Sequence, residues 1–382
     1  MYSTGGTKVL FVIDTLEIGG AEQSLLANTN RFKSITPIVC HIYKGDSLKP
    51  KFLENGIKVY SLNIPYKYGF IKAYNALKKV VEIEKPDMIV GYITMTEIIA
   101  RLVGRSKKTP VIGTFINDLY AKDYNKHLSW RSKQLVNLFK LLNKLTSKIC
   151  VGFVANSQAI KDANSKHLDL PLSKIKVINR GRDSRKIKSR NFDNFSLNGS
   201  TRFLNVSRLF PVKGHKELIL GFERVVQQYP SATLHIMGDG PARQSLQDLI
   251  AEKKLENNVF LLGSRNDVPT VMCEYDCFVF PSYMEGFSGS VVEAMFAGLP
   301  VLASDIGPNQ EAIKHGHTGY LFETGSIEAI EQAMLWFIEN KSVAYQYAKE
   351  AYQYAKNNFE LNDIVEQFEE FLINSSKAAL PY

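Results

Sequence analysis

Short runs rich in Val, Ile and Phe alternate along the 382 residues with longer amphipathic stretches, and they do so in two successive series. That alternation leaves few architectures open, because a strand of period two followed by a helix of period 3.6 builds parallel α/β sheets. In the first series the strand candidates are 8–14, 37–43, 87–92, 110–115 and 149–155. A polar stretch rich in Lys, Arg, Asn and Ser, 183–201, then reads as a linker. The second series comprises 202–206, 232–237, 259–262, 277–281 and 300–303, and 327–374 is largely helical by composition. The expected fold is α/β, two Rossmann-like domains in tandem. Residues 1–185 form the first and 186–362 the second, with a helix at about 363–382 that can pack back on the first. Ligands are expected at the carboxyl ends of the strands, in a cleft between two facing domains.

At 45% hydrophobic and 22% charged residues the composition is that of a soluble globular protein. The run Val9–Ile13 is closed by Asp14, and no stretch approaches the ~18 to 20 apolar residues of a membrane span, so neither a signal peptide nor a transmembrane helix is expected. Cys40, Cys150, Cys273 and Cys277 sit in or beside apolar runs and lack metal-knuckle spacing. They read as reduced core residues of a cytoplasmic protein. The net charge of +9 hides an asymmetry. Residues 1–190 hold 33 Lys plus Arg against 14 Asp plus Glu, and the remainder 14 against 24. Such a basic half suits nucleic acid, an anionic membrane or a phosphorylated substrate. With no aromatic-interleaved basic repeat and no zinc spacing, nucleic acid is the poorest of the three. A helix over 127–149 would gather Leu135, Leu138, Phe139, Leu142, Leu145 and Ile149 on one side and Lys133, Lys140, Lys144 and Lys148 on the other. The favoured reading packs its apolar side on the domain's own sheet and leaves the lysines in water. Peripheral contact with an anionic membrane, at the inner face, is the alternative.

Three stretches carry chemistry. The first strand runs into Gly19-Gly20-Ala21-Glu22, a strand-to-helix turn whose amides can approach a phosphate, although it does not match the dinucleotide fingerprint. Strand 202–206 leads to Arg208 and then Lys213, two cations five residues apart that suit a pyrophosphate. The most informative segment runs from Pro281 through Glu285, Gly286, Phe287, Ser288, Gly289 and Ser290 to Glu293. There a buried strand meets a Gly- and Ser-rich turn and a helix start that aims free amides at an anion. Up to ~12 Å would separate Glu285 from Glu293 if the chain between them were helical. That span suits carboxylates gripping opposite ends of one nucleotide-sugar better than a hydrolytic pair around one bond.

The run Glu285-x7-Glu293 followed by Ala-Met-x-Ala-Gly-x-Pro-Val resembles the signature of family 4 retaining glycosyltransferases, enzymes of the GT-B fold. Further matches fall in that family's order: Gly19-Gly20-Ala21-Glu22, Ala155-Asn156-Ser157, Gly181-Arg182-Asp183, Ser207-Arg208-Leu209 with Lys213-Gly214, and Met237-Gly238-Asp239-Gly240-Pro241. The resemblance implies that Arg208 and Lys213 hold the donor diphosphate, joined by amides near Gly19 and Gly20, by Gly238 and by the turn Gly286 to Ser290. It also implies that Glu285 contacts the transferred sugar and Glu293 the ribose, with Arg265, Asn266, Asp267 and Val268 bordering the base. No covalent cofactor and no metal are implied, and the sequence contains no two aspartates two apart. Two departures stand out. Ile116-Asn117-Asp118 replaces a histidine near the reacting sugar, leaving Asn117 and Asp118 as substitutes for the proton-handling group, and Arg180-Gly181-Arg182-Asp183 replaces Asn-Gly-x-Asp.

The function expected is transfer of a hexose-type sugar from a nucleotide-sugar, UDP-sugar by prior, to a saccharide or lipid-linked saccharide acceptor in cell-surface polysaccharide or glycolipid synthesis. An epimerase or hydrolase of the same architecture stays open, as does a non-catalytic nucleotide-sugar-binding scaffold. A nicotinamide oxidoreductase is poorly served by Gly238-Asp-Gly240.

Overall fold

The computed structural model describes residues 6–65, 69–121, 129–192 and 200–379. The chain divides into two compact units, Met1–Arg180 with Asn362–Tyr382, and Gly181–Leu361.

In the first unit seven strands form one parallel sheet: β1 (Thr7–Ile13), β2 (Ile35–Tyr43), β3 (Lys58–Ile64), β4 (Met88–Gly91), β5 (Val111–Phe115), β6 (Gly152–Ala155) and β7 (Ile175–Val177). Their order is β3-β2-β1-β4-β5-β6-β7, so the direction of winding reverses between β1 and β4. Strands β4, β5 and β6 are buried along their whole length, the burial that a parallel sheet covered on both faces imposes. The main helices around it are α1 (Gly20–Thr29), α2 (Phe70–Glu84), α3 (Thr94–Lys107), α4 (Trp130–Ser147) and α5 (Gln158–Leu168).

The second unit holds six parallel strands: β8 (Arg202–Val206), β9 (Thr233–Met237), β10 (Val259–Gly263), β11 (Cys277–Phe280), β12 (Val301–Ser304) and β13 (Tyr320–Phe322). They run β10-β9-β8-β11-β12-β13, and winding reverses between β8 and β11. The helices α6 (His215–Gln228), α7 (Gly289–Phe296), α8 (Ile327–Glu339) and α9 (Lys341–Asn358) cover the sheet. A further helix, α10 (Leu361–Ala379), follows the second unit in sequence yet packs in the first. Phe368 meets Phe11 and Phe32 with ring centroids 6.5 and 6.0 Å apart. The buried Glu369 carboxylate accepts hydrogen bonds from the backbone N–H groups of Lys33, Ser34 and Ile35 at 2.5–2.9 Å.

Three strands escape the sequence pattern. β3 is an edge strand whose side chains are mostly half-buried, and β7 and β13 have only three residues each. At 149–151 no strand forms, since Ile149 and Cys150 close backbone turns onto Thr146 and Ser147. Nor do the described residues 183–192 behave as a free linker. Ile187 is buried, and Arg190 donates to the Cys273 carbonyl at 3.3 Å and to the Tyr345 hydroxyl at 2.8 Å inside the second unit. Residues 193–199 of the expected linker lie outside the described residues.

Helix α4 also departs from expectation. Its buried positions include Asn143 and Ser147, whereas Leu138, Leu141 and Leu145 are exposed. The cause is a buried polar network. Arg101 on α3 is fully enclosed, pairs with Glu97, and donates to the Asn143 side chain, which in turn donates to the Tyr120 hydroxyl at 3.0 Å. A buried guanidinium demands such partners, and they draw the polar side of α4 inward.

Candidate active site

In open parallel sheets ligands bind beyond the carboxyl ends of the strands, where winding reverses. In the second unit the loops after β8 and β11 flank that point. After β8 the backbone makes a 3-10 turn at Pro211–Lys213 and enters α6 through Gly214, whose φ is +71°. A Cβ at this glycine would lie 2.2 Å from the Pro281 carbonyl oxygen. Only glycine accepts both the conformation and the contact. The Tyr283 N–H donates to the Val212 carbonyl at 2.9 Å, tying this loop to the one after β11.

The two loops bring Lys213 and Glu285 together, with Nζ 2.5 Å from Oε1 and both side chains largely buried. A second pair lies in the same unit. Arg182 donates through Nε to Glu293 Oε1 at 2.5 Å, and its guanidinium rests against Gly289, where a Cβ would clash with it at 1.7 Å. Gly289 opens α7, so the Arg182 cation lies over the first turn of a helix whose leading N–H groups have no acceptor within the helix. The turn beneath is rigid. Ser288 donates to Asn309 at 2.5 Å, Asn309 donates to the Ser304 carbonyl at 2.8 Å, and all three are buried. The Ser288 hydroxyl is therefore committed to the scaffold, while the backbone N–H groups of Gly289 and Ser290 open the helix. Phe287 is a core residue, edge-on to Phe359 at 5.3 Å, and Gly286 is half-buried beside Glu285.

The other expected residues are distributed around these pairs. Arg208 is exposed, with its guanidinium 5.1 Å from the Phe210 ring centre. Gly238 approaches Ser207 so closely that a Cβ would sit 1.9 Å from its carbonyl oxygen. Behind them His215 is enclosed, its Nε2 2.9 Å from the Ser207 hydroxyl. Burial, aided by the nearby Lys213 charge, pushes its pKa down to about 4 and keeps it neutral. Arg265 forms a fork on Asp267, with Nε 2.8 Å from Oδ1, beside the exposed Asn266, and Val268 is buried at the start of a short helix.

In the first unit the turn after β1 is already furnished with charge. The Glu22 carboxylate folds back to within 2.3 Å of where a Cβ on Gly19 would be, and Arg180 lies 3.0 Å from the corresponding position on Gly20. Beside this turn a cavity of about 480 Å³ is lined by Asp14, Thr15, Glu22, Tyr43, Lys44 and Ile93 among others. Ile93 holds φ at +67°, a conformation that a β-branched residue adopts only under constraint. Asn117 is exposed. Asp118 accepts from the Tyr120 N–H at 3.0 Å and pairs with His167 Nε2 at 3.2 Å, so its carboxylate is engaged in a local turn and on helix α5. Sequence reasoning missed Arg180 and Arg182 as site cations. The one trace of them was the replacement of Asn-Gly-x-Asp by Arg180-Gly181-Arg182-Asp183.

The family model for glycosyl transferases group 1 matches residues 188–358, nearly all of the second unit. A UDP-Gal:alpha-D-GlcNAc-diphosphoundecaprenol alpha-1,3-galactosyltransferase of Escherichia coli is 25% identical over 342 residues, 87% of this chain and 85% of its own. An uncharacterized glycosyltransferase of Methanocaldococcus jannaschii is 43% identical over 103 residues, where this chain spans only 25% of that protein. In fold the chain is similar to Anabaena HepE in complex with UDP-glucose, at a TM-score of 0.82 and 23% identity over 96% of this chain and 99% of HepE. The chain has the GT-B fold of these glycosyltransferases, and its second unit matches their group 1 family model. For such an enzyme the segment Pro281 to Glu293, with its two paired carboxylates at the switch point of the second sheet, becomes the candidate donor site.

Proposed function

We propose that this glycosyltransferase moves a hexose-type sugar from UDP-sugar to a saccharide or lipid-linked saccharide acceptor in cell-surface glycan synthesis. Retention of anomeric configuration and independence from metal, as in family 4 enzymes, are part of the proposal, as is work in the cytoplasm with peripheral contact at the membrane's inner face. The observation that carries it is that the segment leading into α7 and the helix itself hold two carboxylates each paired with a cation, Lys213–Glu285 and Arg182–Glu293. The E. coli relative, whose printed acceptor is a diphosphoundecaprenol-linked sugar, and the UDP-glucose bound to HepE support the choice of substrate classes.

On this reading the two pairs exchange partners when the donor enters. A diphosphate takes the place of Glu285 on Lys213 and gains Arg208 and the N–H groups of Gly289 and Ser290. Glu285 is then released to accept from sugar hydroxyls, and Glu293 from the ribose. As the bond to the anomeric carbon breaks, negative charge grows on the departing diphosphate, where fixed cations and the helix start stabilise it. Prior pairing keeps each buried charge compensated before the donor arrives.

Thermal-shift titration with UDP, GDP and ADP and their sugars tests the donor class. A ligand at 100 times its Kd adds about 2.7 kcal/mol of stability. The expected result is a shift with UDP compounds, weakened by about 1.5 to 3 kcal/mol in Lys213→Ala and in Arg208→Ala. No shift with any nucleoside diphosphate would overturn the reading, and unchanged affinity in both variants would overturn the assignment of the two cations.

A further inference from the structure

Helix α4 offers solvent an apolar stripe that the described residues of the first unit leave uncovered. At 100° per residue, Trp130, Leu135, Leu138, Leu141 and Leu145 fall within an arc of about 140°, and Phe139, Val136, Asn143 and Ser147 lie on the other side. The stripe is open: Trp130 is 74% exposed, Leu138 50%, Leu141 53% and Leu145 59%. Val136 and Phe139 pack on the first unit's core and Asn143 and Ser147 are buried, so the apolar row faces away from the protein. Between Trp130 and Ser147 there is no Asp or Glu, whereas Arg131, Lys133, Lys140 and Lys144 lie in the helix and Lys148 follows it. Arg131, Lys133 and Lys148 are exposed, Arg131 within the arc itself, whereas Lys140 is half-buried against His167 Nδ1 at 3.2 Å and Lys144 pairs with Asp169.

We propose that α4 seats the first unit on an anionic lipid surface, the leucine row and Trp130 entering the headgroup boundary while the exposed Arg131, Lys133 and Lys148 meet lipid phosphates. An apolar row accompanied by cations and devoid of carboxylates matches that environment, and a tryptophan at one end is at home where chain and headgroup meet. Charge argues against a second copy of the helix as the occupant, because two such faces would bring like charges together. The unit as a whole adds to the attraction, with 29 Lys plus Arg against 17 Asp plus Glu. The inference does not depend on which nucleotide-sugar is used.

Co-sedimentation of the full chain with vesicles of phosphatidylglycerol and phosphatidylcholine in equal parts, against phosphatidylcholine alone, tests it. The wild type is expected to bind the anionic vesicles, less so as salt rises. A triple variant Leu138→Gln, Leu141→Gln, Leu145→Gln should bind on the order of tenfold or more weakly, with melting temperature and UDP response unchanged. Arg131→Gln with Lys133→Gln and Lys148→Gln should lose most of the salt dependence. Absence of wild-type binding, equal binding by the leucine variant, or a lipid-free dimer that this variant abolishes would each overturn the proposal. A missing UDP response in the wild type would instead count against the donor assignment alone.

Discussion

Arg182 is the residue whose position most changes the picture of the candidate donor site. Its Nε–H bond to Glu293 fixes a carboxylate that the family resemblance places on the ribose, and its seat on Gly289 keeps a cation above the helix start. Arg182→Ala is therefore expected to weaken UDP binding about tenfold, near 1.4 kcal/mol, with little change in fold stability. Arg182→Lys should recover little, because a single ammonium cannot reproduce the planar fork. Calorimetric titration of both variants measures this, and an unaltered Kd in Arg182→Ala would show the pair to be structural. Glu285→Gln and Glu293→Gln should differ from one another, the first lowering mainly kcat and the second mainly affinity for free UDP. Equal loss of UDP affinity in both would remove that division. Little of this was legible beforehand. The motif around Glu285 and Glu293 carries its own local pattern, but Arg182 comes from a loop 111 residues away in the chain. No periodicity announces a contact of that kind.

Among the elements, α10 is held by one side chain more than by any other polar contact. Glu369 collects the N–H groups of Lys33 and Ser34, just before β2, and of Ile35, its first residue. Glu369→Ala is expected to destabilise the first unit by about 2 to 4 kcal/mol, since buried amides lose a charged acceptor. Glu369→Gln, which keeps one acceptor oxygen, should cost less. Denaturant melts resolved by unit would show it, and an effect confined to the second unit would contradict it. Strands wholly inside a parallel sheet were readable because continuous apolar runs such as Cys277–Phe280 have few other uses. β3 was not, for it is a half-buried edge, and three-residue strands such as β7 and β13 are shorter than any pattern. Helix α4 was read as a helix, but of its expected inward side Phe139 packs on the core while Leu135, Leu138 and Leu145 face solvent. Hydrophobic periodicity cannot foresee that Arg101, on another helix, requires Asn143.

For the whole molecule, the chemistry proposed makes two demands on the product and the medium. Activity should survive EDTA, because cations and a helix start stand where a metal would, and abolition by chelator with recovery on magnesium or manganese would refute this. NMR of the product's anomeric proton should show the donor's configuration kept, and an inverted linkage would overturn the family 4 reading. The charge asymmetry is gentler than counting along the chain implied. By unit the net charges are +12 and −3, because the cations from Arg182 to Arg190 belong to the second unit and α10 brings four carboxylates to the first. One further consequence follows from the place of α10. Synthesis runs from one end, so Phe11 and Phe32 leave the ribosome long before Phe368 is made to cover them. At the usual 5 to 20 residues per second, translating the second unit takes on the order of 10 to 40 s. For that interval Phe11 and Phe32 lack the ring that packs on them and three amides lack their acceptor, the kind of transiently exposed surface that chaperones exist to cover.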